Sequence, residues 1–157
     1  MLRGTKFIDH NWYLSGTNDR KIYHLLDFID ISIFLKSKIT NSLGIYSESS
    51  SGGLTALCAM LREPFLFDAI SVCNPITNLP NYCFQDLPSY QSHSLSLSEF
   101  GDVSVKQIYE IQKLLSPEYI PFSDKIRTDL LLNVSNSHRN FADCRKFIAK
   151  MREATDD

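Results

Sequence analysis

The chain has 157 residues, 43% of them hydrophobic and 22% charged, with a formal net charge of −2. That length holds one domain with a substantial hydrophobic core, in the composition of an ordinary globular protein. A nearly neutral chain gives no bulk electrostatic ground for a nucleic acid or an anionic membrane as partner, and no window reaches the ~18 uninterrupted apolar residues of a membrane span.

The N-terminal "MLRGTKFIDHNW" lacks the apolar stretch of a secretory signal. Residues 21–38 place Ile22, Leu25, Leu26, Ile29 and Ile33 on one face at helical spacing and predict a helix. A short strand is predicted over 43–47, then a cramped turn, "ESSSGG", then a helix over 53–62. The apolar run 67–75 predicts a second strand, stopped at Asn74-Pro75. Residues 74–103, including the serine-rich "SYQSHSLSLSEF", and 117–127 are expected as excursions outside the sheet. Between them, 104–117 predicts a helix ending before Pro117. A third strand is predicted over 128–136 and a last helix over 141–154. Strands alternating with helices predict an α/β fold, its mostly parallel sheet flanked by helices. Runs such as "DLLLNV" fit strands buried on both faces. Three strands are few for a doubly covered sheet, so part of a larger domain is expected.

Cys58, Cys73, Cys83 and Cys144 form no C-x-x-C pair and lack zinc-ligand spacing. Cys58 and Cys73 lie in apolar runs and read as buried free thiols, which favours a reducing, cytoplasmic compartment. Asn133-Val134-Ser135 matches a glycosylation sequon by chance, since it abuts a strand.

Chemistry concentrates in "GIYSESSSGGLTALCAML", Gly44 to Leu61. In a nucleophile elbow a serine sits on a sharp turn between strand and helix, and the amide after it faces the developing oxyanion. On that reading Ser50 is the nucleophile, Ser51 supplies the backbone N–H, and Gly52-Gly53 start the helix. The other reading is a plain helix cap, since serine is a favoured N-cap and Gly-Gly a frequent turn.

Arg3-Gly4, Trp12, Gly16, Arg20-Lys21, Asp27-Phe28 and "SSSGGL" follow one another in the order and at separations similar to those of the prolyl oligopeptidase family of serine peptidases. Further on, "EFGD" (99–102), "SPEY" (116–119), "LLLNVSNSHR" (130–139) and "KFIA" (146–149) resemble later segments of its catalytic domain. The chain looks most like the prolyl endopeptidase-like branch, whose elbow is also Ser-rich. The resemblance covers nearly the whole chain, 1–157, and implies a partial α/β-hydrolase fold lacking the family's early and last strands. It implies a serine-type peptidase acting on short peptides, without metal or cofactor. Ser50 takes the nucleophile position, Ser51 the oxyanion amide, Ser137 the position of the acid, and Arg139 that of an arginine binding a substrate carbonyl.

Four departures set limits on that reading. Glu48 replaces the elbow's leading glycine and has to point outward; Ser137 carries no charge, and Asp143 lies six residues beyond it. The family's catalytic histidine follows a further strand. His10, His24 and His93 precede the acid position, and His138 reads as a surface loop residue. The tryptophan that stacks on proline has no counterpart, because Trp12 matches another position. Changing the acid alone costs about 10⁴ in kcat in serine proteases, so the chain as it stands is expected not to turn over peptides. The competing expectation is a pseudopeptidase that binds a peptide or protein partner, with association through open sheet edges.

Overall fold

Three parallel strands lie side by side in chain order: β1 (Gly44–Ser47), β2 (Ala69–Cys73) and β3 (Asp129–Asn133). Gly44 faces Ala69 across the first ladder, and Cys73 faces Asn133 across the second. The computed structural model describes residues 1–48, 50–85 and 90–155. Around the sheet run α1 (His10–Leu14), α2 (Lys21–Lys38), α3 (Ser50–Arg62), α4 (Leu79–Phe84), α5 (Tyr90–Phe100), α6 (Lys106–Leu114) and α7 (Phe141–Thr155). The α/β class, the three parallel strands and the flanking helices agree with the sequence reading. Among the described residues, no helix is long and apolar enough to cross a membrane.

The core gathers on one face of the sheet. Ile70 and Val72 are buried there, with Ile45, Leu130 and Leu132 beside them, under Leu54, Leu57 and Leu61 of α3, Leu25 and Ile29 of α2, and Phe147 of α7. The alternate residues face outward, with Tyr46 65% and Leu131 64% exposed. The expectation of strands buried on both faces is therefore wrong among the described residues. A continuous apolar run does not say how many faces are covered, and every helix that contributes to this core packs on the same one.

The α2 face is also rotated from its prediction. Leu25 and Ile29 are buried and Ile22 packs on the core, but Leu26 and Ile33 are 44% and 45% exposed. Phe28 and Leu35 pack instead, while Lys21 and Ser32 are buried among them. Two polar residues on the inward face make the hydrophobic periodicity point to the wrong centre.

Part of the stretch expected as an excursion is helical. α4 is capped by Asn78, whose side chain accepts from Asn81 N. Serine is a poor helix former, yet Ser96 and Phe100 are buried, and packing overrides propensity in α5. α3 begins at Ser50 itself, not at Gly52-Gly53, and α6 is shorter than predicted.

Most of the N-terminal residues that carry the family resemblance form one brace. Arg3 pairs with Asp27 through its backbone N–H and its guanidinium, which holds the Asp27 carboxyl below its ordinary pKa. Trp12 Nε1–H donates to Leu2 O at 2.9 Å, and Gly4 N–H to Trp12 O at 3.1 Å. Gly4 has φ +86°, and a Cβ there would lie 2.6 Å from Gly16 O, so both glycines are needed where the two segments cross. These residues tie the N-terminal segment to α2.

Candidate active site

The turn between β1 and α3 is backbone held under constraint. Ser50 has φ +46°, the left-handed region that costs a residue with a Cβ about 1–3 kcal/mol. Backbone bonds on both sides hold it: Ser50 N–H donates to Asn74 O and Ile76 N–H donates to Ser50 O, each at 3.2 Å. The elbow is thus sewn to the end of β2. The next residues must be small, since a Cβ on Gly52 would lie 2.5 Å from Ser47 Oγ, and one on Gly53 2.6 Å from Pro75 Cβ. A plain helix cap requires neither the left-handed serine nor this closeness. Glu48 is exposed, while Ser49 lies outside the described residues.

Asn74, with φ +45°, joins the elbow to the loop after β3. Its Oδ1 accepts from Ser135 N–H at 2.9 Å, and Asn140 Nδ2–H donates to Pro75 O at 3.2 Å. The loop bearing Ser137, His138 and Arg139 therefore stands beside the Ser50 turn at the C-terminal edge of the sheet, the edge where open α/β sheets bind ligands. Ser137 Oγ meets Ser135 Oγ at 2.9 Å, a pair of uncharged hydroxyls at the tip of the loop. His138 Nδ1 accepts from Asn140 N–H at 3.3 Å, which leaves the ring proton of the neutral form on Nε2. Burial and the neighbouring Arg139 charge lower its pKa. Arg139 donates to Tyr82 O and lies 4.0 Å from the Tyr82 ring centroid, while its buried Nε has no hydrogen-bond partner. Asp143 is buried, accepting from Asn81 Nδ2–H at 2.6 Å with Lys146 at 3.5 Å. Among the described residues, no hydrogen bond joins Ser50 Oγ to a histidine or a carboxylate.

Two site neighbours escaped the sequence reading. Ser51 Oγ–H donates to Glu99 Oε1 at 3.1 Å, and Lys21 Nζ donates to the same oxygen at 2.6 Å. Both lie in segments that resemble the family, "RK" at 20–21 and "EFGD" at 99–102, but spacing alone does not place them at the elbow.

Other chemistry is not supported. All four cysteines are free, Cys73 and Cys83 only half-buried. Burial pushes the Cys83 thiol up to about 12 and the Cys144 thiol to about 11, which disfavours the thiolate at both positions. Among the described residues, no cluster of histidine, cysteine and carboxylate side chains could hold a metal ion.

No protein-family model matches the chain, and no curated protein does. Solved structures do. A prolyl endopeptidase, from work on inter-domain dynamics in two such enzymes, superposes with a TM-score of 0.79 at 24% identity, covering 98% of this chain and 22% of that one. Prolyl oligopeptidase B from Galerina marginata, bound to a 25mer macrocyclization substrate, gives a TM-score of 0.82 at 23% identity, over 98% of this chain and 21% of its own. The chain shares its fold with the matching part of these two enzymes. Dipeptidyl peptidase 4 from Porphyromonas gingivalis shares it at a TM-score of 0.74 and 16% identity, over 97% of this chain and 20% of that one. The chain spans about a fifth of the length of these relatives. Identities this low carry the fold and leave the chemistry to the residues.

Proposed function

We propose that residues 1–157 are the elbow-bearing part of a prolyl endopeptidase-like serine peptidase domain, with Ser50 at the nucleophile position and the Ser51 amide facing the oxyanion. In this reaction Ser50 Oγ bonds to the acyl carbon of a short peptide. A general base moves the serine proton to the departing amine as the C–N bond breaks, and water then cleaves the ester. Among the described residues no histidine is hydrogen-bonded to Ser50 Oγ, so the chain by itself is expected to be inactive. The single observation that carries the reading is the left-handed Ser50, stitched to Asn74 and Ile76 with Gly53 pressed against Pro75. Four free cysteines support a reducing, cytoplasmic compartment.

The test supplies the missing base. The purified chain is treated with a fluorophosphonate, with and without imidazole, and the modified residue is found by peptide mass spectrometry. Ser50 is expected to be phosphonylated selectively when imidazole is present, and a Ser50→Ala chain is expected to remain unmodified. Reaction spread evenly over surface serines would sink the nucleophile assignment.

A second reading, a peptide-binding pseudopeptidase, is favoured by the Ser135–Ser137 hydroxyl pair at the acid position and by the engagement of Arg139 with Tyr82. Saturable binding of a short peptide by a chain whose Ser50 does not react would select it.

A further inference from the structure

The geometry points to Lys21 and Glu99 as positioning residues for the oxyanion side of the elbow, an inference that rests on Ser50 holding the nucleophile position. Three helices meet in this contact. Lys21 opens α2, Ser51 is the second residue of α3, and Glu99 is the last residue but one of α5. Glu99 Oε1 accepts from both Lys21 Nζ and Ser51 Oγ, at 2.6 and 3.1 Å. Lys21 is 5% exposed, with Nζ 5.2 Å from the Phe100 ring centroid.

The N–H groups of a helix's first turn have no intrahelical acceptor, and the peptide that carries the Ser51 N–H is held at its carbonyl by Ile76 N–H and at the Ser51 side chain by Glu99. An ionised acceptor strengthens a hydrogen bond, and Glu99 offers one to the Ser51 hydroxyl at 3.1 Å. A carboxylate next to the elbow has an electrostatic drawback, because its charge opposes the negative charge that develops on the oxyanion. The buried Lys21 ammonium, 2.6 Å away, offsets that charge, and solvent screens part of it because the Glu99 side chain is 33% exposed. The pair thus gives Ser51 a fixed acceptor with a weaker field against the reaction. A lysine used only to join α2 to α5 would not need the same carboxylate oxygen to hold Ser51.

The readout is the rate of imidazole-assisted phosphonylation of Ser50. Ser51→Ala leaves the Lys21–Glu99 pair intact; it is expected to slow the reaction about tenfold, the effect of one hydrogen bond, with the melting temperature held. Ser51→Thr, which keeps the hydroxyl, is expected to restore the rate. Glu99→Gln alone strands a buried ammonium, so the charge-balanced double variant Lys21→Met with Glu99→Gln serves in its place. It is expected to react faster than Lys21→Met alone, which leaves the carboxylate bare. A wild-type rate in Ser51→Ala, or equal rates in the single and double Lys21 variants, overturns the assignment. Should wild-type Ser50 not react at all, the nucleophile reading fails separately. The Ser51 amide resonance in ¹⁵N–¹H spectra then decides, since positioning requires it to move in the double variant and an unmoved resonance rejects it.

Discussion

Two turns stand side by side at the C-terminal edge of the sheet, and they differ in what holds them. The turn around Ser50 is fixed by backbone: a left-handed residue, ladder-like bonds to Asn74 and Ile76, and glycines packed against Ser47 and Pro75. The turn around Ser137 is an exposed loop, tied to the first turn by Ser135 N–H on Asn74 Oδ1 and Asn140 on Pro75 O, and the contacts at its tip are side chains: the Ser135–Ser137 hydroxyl pair and Arg139 turned onto Tyr82. Elbow geometry is part of the fold's packing and survives as long as the fold does. A catalytic carboxylate is one side chain on a surface loop, and its replacement disturbs no packing. A fold can therefore be kept, here at TM-scores of 0.79 and 0.82, while an exposed loop side chain changes.

The contrast breaks most visibly at Gly53. Gly53→Ala places a methyl 2.6 Å from Pro75 Cβ and 3.1 Å from its Cα. Overpacking of that kind costs about 1–3 kcal/mol, only partly offset by the better helix propensity of alanine. A loss of about 2 kcal/mol is expected in urea unfolding, together with loss of Ser50 reactivity. Ser137→Ala in the neighbouring turn is expected to change stability by less than ~0.5 kcal/mol. Equal effects at the two positions would remove the distinction.

Ser50→Gly sharpens it from the other side. Glycine adopts φ +46° without the Cβ penalty, so the variant is expected to be more stable by about 0.5–1 kcal/mol while losing all modification at residue 50. A destabilised Ser50→Gly chain would show that the serine side chain contributes contacts and that its backbone is not strained.

The same contrast explains what was legible in the amino-acid order. Strand–turn–helix at 44–62 could be read because apolar runs flank a cluster of small residues, and small residues are what a close crossing demands. The three strands and α7 were legible for the same local reason. The single covered face of the sheet was not, because Leu131 is as apolar as the buried residues around it and only the placement of the helices decides its exposure. α5 was hidden by its serines, and the α2 face by the buried Lys21 and Ser32. The Lys21–Glu99–Ser51 contact joins residues as much as 78 positions apart, a distance that no local pattern spans.

The smallest expected effect lies in the loop itself. Ser137→Asp puts a carboxylate one residue from His138, whose pKa is held down by burial and by Arg139. A histidine with a depressed folded pKa contributes stability that is present above its unfolded value of ~6.5 and lost as the pH falls through the folded value. The new carboxylate favours the imidazolium, raises the folded pKa and narrows that loss. Overall stability near neutral pH should therefore move by less than ~0.5 kcal/mol, while the His138 Cε1–H resonance titrates at visibly higher pH than in the wild type. Ser50 reactivity without imidazole is expected to stay absent, because a carboxylate at 137 supplies an orienting group and not the base itself. If Ser137→Asp alone made Ser50 react with fluorophosphonate, His138 would have to be the base, and the loop would have lost its chemistry through that one side chain.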